Sequence, residues 1–329
     1  MRKWIVILFI LMAILLIAGK CEGRDRQNTT EPVNLTPKDP PHITPEDPGE
    51  ISTIPNGCSS KTDYIECKDI EYKSISGVDE DLLSLDVYMP KSDGEYPVIV
   101  YIHGGGWNKG DKGLIYSKDE HFTSKGYVFV SINYRLTEEK RGKHNGVMYP
   151  MHNEDAASAI KWVNDNIEDY RGNDNLILMG HSAGGGIMAA IAVDSKYLNA
   201  EGMSLSDIDC AISIDASGFD INERLDNCFL AAQCDVFTNA FGEDKDIWTE
   251  ASPINKISSS VPDFFVATTG GMRLDYTQAF VDELDEHNVN NEMKVLSQYG
   301  HITIDSKLGK SGETITTEVQ KFLDDSCIW

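Results

Sequence analysis

The chain has 329 residues, 41% of them hydrophobic, with 29 Lys plus Arg against 53 Asp plus Glu and a formal net charge of −24. That composition excludes a disordered protein and suits one large domain or two small ones. The negative field argues against nucleic acid as a partner and against binding an anionic membrane face through basic residues, and it favours neutral substrates over anionic ones.

The chain opens with MRKWIVILFILMAILLIAGKC, two basic residues followed by an apolar run from Trp4 to Ala18. This is the pattern of an export signal or a short anchor, so residues 1–21 are read as signal and the remainder as extracytoplasmic, secreted or held at the cell surface. Ala18-Gly19-Lys20-Cys21 is similar to a lipoprotein processing site, with Lys20 where a small residue is expected. Lipidation of Cys21, simple cleavage and a retained anchor stay open, and any membrane contact is expected only through this segment. Residues 22–56 hold seven of the twelve prolines among Thr, Asn, Asp and Glu, the composition of an extended spacer. Asn28 and Asn34 fit the glycosylation acceptor pattern.

The folded domain is assigned to residues 57–329. Without Cys21, six cysteines remain, an even number in an exported chain. Spacing suggests Cys58 with Cys67 and Cys228 with Cys234, which leaves Cys210 for Cys327, one of fifteen pairings; buried free thiols are the alternative. No CxxC or HExxH spacing points to a metal.

From Cys67 onward short β-branched and aromatic runs alternate with helical patterns. The runs at 70–76 and 83–89 alternate apolar and polar residues and read as paired outer strands. YPVIVYIH (96–103), YVFVSINY (127–134) and NLILMG (175–180) are continuously apolar, as strands covered on both faces should be. A helix over 155–167 places Ala156, Ile160 and Val163 on one face, and GGGIMAAIAV (184–193) reads as a small-residue helix packed on the sheet. CAISIDAS (210–217), DFFVATTG (263–270) and EMKVLSQY (292–299) are further strands, with a helix over 277–287 between the last two. A closing helix carries Ile315, Val319, Phe322 and Leu323 on one face. Such alternation means an α/β fold with a mainly parallel sheet covered by helices on both sides. Residues 221–261 break the rhythm with clustered charges and the aromatics Phe229, Phe237, Phe241 and Trp248. They read as a small cap over the strand ends.

In LILMGHSAGGGIMAA, Ser182 stands between a buried strand and a small-residue helix, with Gly180 and Gly184 on either side. This strand–turn–helix context exposes a nucleophile at the top of a sheet, and the helix N-terminus behind it favours negative charge. Upstream, YIHGGGWNKGDKG (101–113) ends another central strand. Consecutive glycines let backbone N–H groups face a cavity, so Gly105 and Gly106, joined by Ala183, are the candidate oxyanion donors. No GK[ST] follows, which argues against a phosphate loop. Trp107 either lines the pocket or anchors the loop.

HGGGW with Gly110-Asp111, the run Asn133-Tyr134-Arg135-Leu136, Asp155, GHSAGG, SGFD at 217–220 and ASPI at 251–254 together resemble the cap-poor esterase and lipase branch of the α/β-hydrolases, which includes bacterial feruloyl-esterase-like and hormone-sensitive-lipase-like enzymes. The likeness spans about residues 65–325. It implies an α/β-hydrolase fold and a carboxylic ester hydrolase with a Ser-His-Asp triad, an acyl-enzyme, a neutral ester substrate and no cofactor. Its catalytic histidine corresponds to His301 in YGHITI. The acid departs from the pattern. Gly271 stands where the aspartate is expected, so Asp275 is preferred if the loop is rearranged, with Asp215 after the preceding strand as its rival. Two other readings remain: hydrolysis of another acyl bond, as in arylformamidases or peptidases, and a non-catalytic surface binding protein on a hydrolase scaffold.

Overall fold

A computed structural model describes residues 54–327, except 141–142, 217 and 229–230. The signal, Cys21, most of the spacer, Phe229 and Ser217 therefore lie outside the described residues.

The chain enters through β1 (Cys58–Ser60), β2 (Tyr64–Glu71), β3 (Ser84–Pro90) and β4 (Tyr96–Ile102). Helix α1 (Lys118–Ser124) leads to β5 (Val128–Ile132), followed by a two-stranded hairpin, β6 (Glu139–Lys140) and β7 (Lys143–His144). Then come α2 (Met151–Asn166), β8 (Gly172–His181), α3 (Ala183–Val193), α4 (Ser195–Ala200) and β9 (Cys210–Ile214). Three helices interrupt the alternation, α5 (Ile221–Asp226), α6 (Ala231–Phe241) and α7 (Lys245–Ala251). The chain closes with β10 (Asp263–Thr268), α8 (Met272–Glu286), β11 (Asn291–Val295), α9 (His301–Lys307) and α10 (Thr314–Ser326).

Nine strands form one sheet in the order β1-β2-β3-β5-β4-β8-β9-β10-β11. The run from β5 to β11 is parallel, and β1, β2 and β3 add an antiparallel edge. The first outer strand lies earlier than its alternation predicts. YIECKDIE, not the run at 70–76, pairs with β3, and Cys58 faces Cys67 across the β1–β2 ladder, where a disulfide joins them. The other pairs are Cys210–Cys327 and Cys228–Cys234.

The continuous apolar runs are explained by a core on each face. Along β4, Val98, Val100 and Ile102 pack into the cluster that contains α2 and α3, while Ile99 and Tyr101 pack into the one with α1 and α10. Leu176 and Leu178 of β8 alternate with Ile177 and Met179 in the same way. A strand with helices on both sides has no wet face to mark with polar residues. Helix α3 is wholly buried, and its glycines let it lie against the sheet: a Cβ on Gly184 would come within 2.1 Å of the Ile102 carbonyl oxygen.

Helix α2 begins at Met151, four residues ahead of the helix expected at 155, so Asp155 sits inside it. Helix α8 begins at Met272 rather than 277, which places Asp275 in its first turn. Among the described residues, no helix is long and apolar enough to cross a membrane.

Candidate active site

The parallel strands deliver the site at their carboxyl ends, where ligands of open α/β sheets gather. Ser182 follows β8, Asp215 follows β9, and His301 opens α9 after β11. Ser182 has φ 55° and ψ −118°, a left-handed region that a side chain occupies at a cost of roughly 1–3 kcal/mol. Its backbone is pinned there by an N–H donated to the Ile214 carbonyl at 2.9 Å and by the α3 turn that starts on it. The result is a sharp elbow that lifts Oγ out of the sheet.

The Ser182 Oγ lies 2.9 Å from His301 Nε2, and His301 Nδ1 lies 2.6 Å from Asp215 Oδ2. With Nδ1–H donated to a carboxylate, Nε2 is left as the acceptor for the serine hydroxyl. Asp215 is fully buried and has φ 48°. Burial pushes its pKa up, but hydrogen bonds from His301 and the Thr269 N–H, with the nearby charge of Arg273, outweigh that and hold it below the ordinary carboxylate value. Thr269 donates its N–H to Oδ1 at 2.7 Å, and Arg273 Nε stands 3.6 Å from Oδ2.

The preference for Asp275 is therefore corrected: Asp215 is the carboxylate beside His301. Asp275 is exposed on the first turn of α8, where a carboxylate suits the helix N-terminus. The turn after β10 carries Thr269 instead, which reaches across to orient Asp215 from the neighbouring strand.

The glycine-rich loop faces Ser182. At Gly105, φ is 131° and a Cβ would come 1.8 Å from the Lys109 carbonyl oxygen, so only glycine fits the turn. Among the described residues, the N–H groups of Gly105, Gly106 and Ala183 are not paired with another protein group. All three residues line the same cavity as Ser182. The loop is braced from beneath. His103 stacks on Tyr134 at 4.5 Å between ring centroids, and the Tyr134 hydroxyl donates to the His103 carbonyl at 3.0 Å. Asn133 accepts the Lys112 N–H at 2.7 Å, and Arg135 forks onto Asp155 at 2.6 and 2.8 Å. Asn133 and Tyr134 thus hold the loop, and Arg135 ties the segment to α2 through Asp155.

Trp107 does both things expected of it. It lines the cavity and is buried edge-on against Phe237 and Phe241 of α6, 5.0 Å from each. The region 221–261 forms α5, α6 and α7, and Val236 and Phe237 of α6 close one side of the cavity. Asp220 caps α5 and Ser252 accepts the Ile221 N–H at 2.9 Å, so the SGFD and ASPI runs fasten this insertion. The cavity measures about 670 Å³, and its lining includes the exposed side chains of Leu114, Tyr116 and Ile302.

A buried polar cluster that sequence reasoning missed supports His301. His181 donates Nε2–H to the His301 carbonyl at 2.9 Å. One turn along α9, Asp305 pairs with the fully buried Lys118 at 2.8 Å and accepts the Tyr101 hydroxyl at 2.7 Å. Burial keeps Lys118 below the ordinary lysine value; Asp305, which burial alone would raise, is held low chiefly by the Lys118 charge. His181 is pushed down to about 4, chiefly by burial, so it is neutral at pH 7. Among the described residues no cluster of His, Cys, Asp and Glu is placed to hold a metal ion.

Known proteins share this frame. The truncated carbohydrate esterase from gut microbiota superimposes with a TM-score of 0.65 at 18% identity, covering 82% of this chain and 98% of that one. Esterase B of Lactobacillus rhamnosis also gives 0.65 at 18% identity, covering 80% and 85%. In sequence, esterase FE4 of Myzus persicae is 36% identical over 129 residues, 36% of this chain and 23% of that protein. The chain spans about a quarter of the length of that relative. The BD-FAE family model matches residues 85–271, more than half of the chain and inclusive of the glycine loop, the Ser182 elbow and Asp215. The chain belongs to the BD-FAE family of α/β-hydrolase esterases.

Proposed function

We propose that the protein hydrolyses carboxylic esters through an acyl-enzyme, with Ser182 as nucleophile, His301 as general base and then acid, and Asp215 as the group that orients the imidazole. The observation that carries this reading is the continuous chain Ser182 Oγ, His301, Asp215, at 2.9 and 2.6 Å. Family membership and the esterases that share the fold support it. His301 Nε2 takes the serine proton as Oγ attacks the ester carbonyl, and Asp215 stabilises the imidazolium. The N–H groups of Gly105, Gly106 and Ala183 meet the oxyanion, each worth about 3 kcal/mol in the transition state. His301 then returns the proton to the departing alcohol oxygen, and a water activated by the same nitrogen frees the acid from Ser182.

The non-catalytic reading drew its force from a missing acid after β10. It loses that force with Asp215 beside His301. The three disulfides support a site of action in an oxidising, extracytoplasmic compartment, in keeping with the export signal expected at residues 1–21. A fluorophosphonate probe tests the reading. Labelling of the folded protein that is abolished in Ser182→Ala, together with turnover of aryl esters, is expected; an unlabelled folded protein inert toward esters would overturn it.

A further inference from the structure

Two apolar sets line the Ser182 cavity, and they are built differently. On the insertion, Phe237 of α6 packs edge-on against Trp107, and both side chains are buried. The second set is open to solvent. Leu114, Tyr116 and Ile302 are 53%, 48% and 61% exposed, and all three line the cavity. Seven large apolar side chains are exposed among the described residues, so three of them on one cavity is a concentration rather than the usual scatter.

The exposed set is also fixed in place. Tyr116 has φ 58°, a left-handed backbone that residues with a side chain seldom adopt, and such outliers gather at binding sites. Its ring centre lies 5.2 Å from the Nζ of Lys118, and Lys118 pairs with Asp305 of α9 at 2.8 Å. The segment carrying Leu114 and Tyr116 is thereby tied to the helix that opens on His301 and carries Ile302. That helix matters to the direction of the substrate. A general acid must stand beside the oxygen it protonates, so the alcohol part of an ester departs on the side of His301, while the acyl part stays on Ser182.

We propose that Leu114, Tyr116 and Ile302 form the site for the alcohol part of the substrate, and that this alcohol is apolar, an alkyl or alicyclic alcohol rather than a sugar or other polyol. The proposal rests on the esterase reading above and names its substrate class. Such an alcohol carries no charge for a molecule of net charge −24 to repel, and seating it on the rim removes apolar surface from water on both partners.

Two acetates with alcohol chains of equal length test it on the intact protein, hexyl acetate and 2-(2-hydroxyethoxy)ethyl acetate, both kept below their solubility limits so that no droplet forms. The readout is the hexyl-to-glycol ratio of kcat/KM within each protein, so a general loss of activity cancels. A wholly buried methylene is worth about fourfold, and on a half-open rim the wild-type ratio is expected to be about 10- to 100-fold. In the double variant Leu114→Ser, Ile302→Ser it is expected to fall about 3- to 10-fold. The acyl-side ratio, methyl heptanoate to methyl propanoate, is expected to keep its wild-type value in the same variant. A wild-type ratio at or below one, a ratio unchanged in the double variant, or an acyl-side ratio that falls as far as the alcohol-side one overturns the proposal and leaves the esterase reading intact. So does failure to cleave either acetate by a protein that hydrolyses aryl esters. Should the double variant not fold, Ile302→Gln, a single change at the most exposed of the three, carries the same test. Inertness toward every ester with no fluorophosphonate labelling is a different outcome, which removes the esterase reading itself.

Discussion

His301 and Asp215 are 86 residues apart in the chain and 2.6 Å apart in space, with Asp215 fully buried and the imidazole at the cavity edge. The carboxylate sits just past the end of β9, the strand next to the one that carries the elbow, and its second oxygen is held by Thr269 from the turn after β10. Replacing Asp215 by Asn keeps the shape but can present an N–H to Nδ1, which favours the wrong tautomer. The expected result is a fall in kcat of about 10⁴ with the fold retained. Asp275→Asn, on an exposed first turn, is expected to leave kcat within about twofold and to alter stability by less than about 1 kcal/mol. Steady-state rates of the two variants on one aryl ester check both statements, and a reversed order would restore Asp275 as the acid.

The difference between what was readable and what was not follows from the range of the interactions. Ser182 and the HGGG loop are local devices: a strained turn needs glycines at fixed offsets, and strand and helix flank it in sequence. Asp215 has no such local mark. The sequence offers it only as the rival of Asp275, and what singles it out is that β9 and β10 are adjacent and Thr269 lies level with it, a fact of strand order rather than of spacing. Asp275 misled because α8 starts at Met272, with Gly271 at φ 63° turning the chain into the helix, so the acid is used at the helix start. Lys118 and Asp305 are 187 residues apart, and a charge buried by a distant partner looks in sequence like any surface lysine. The central strands were readable because both faces are dry; the first outer strand was misplaced because alternation alone does not fix where a pairing begins.

The elbow stores strain that a glycine would release. Ser182→Ala keeps a Cβ at φ 55°, whereas Ser182→Gly does not. Both are expected to be inactive, but the glycine variant is expected to unfold at higher temperature than the alanine one. The difference should be about 1 kcal/mol, or about 2 °C in a domain of this size. Calorimetry of the two inactive proteins is the check, and equal melting temperatures would mean that the turn carries no such strain.

The three disulfides should not contribute equally. Cys210–Cys327 closes 117 residues and ties the end of α10 to β9, while Cys228–Cys234 closes six within the insertion. Loop-closure entropy in the unfolded chain then favours the first by roughly twofold, about 5 against about 2 kcal/mol. Paired Cys→Ser variants compared by urea unfolding should show the Cys210/Cys327 pair losing more. Equal losses would imply that residual unfolded structure, not chain entropy, sets the effect.

His181 should make the fold sensitive to mild acid. Burial is the chief cause that pushes its pKa down to about 4 from the ordinary histidine value near 6.5, and its Nε2–H is committed to the His301 carbonyl. Between those values the unfolded chain binds a proton that the folded one refuses, so stability falls as pH drops from 6.5 and goes on falling until the folded group itself titrates. The loss reaches the order of 3 kcal/mol by pH 4. In His181→Gln the amide can still donate to the carbonyl of His301 but takes up no proton. The variant is expected to be as stable as the wild type or slightly less so at pH 7, and more stable at pH 4.5. Urea unfolding of both proteins across this range measures the difference directly. Parallel stability curves would mean that His181 is protonated in the folded state at mild acid pH, and that a contact with Asp305, 4.0 Å from its Nδ1, then compensates for burial.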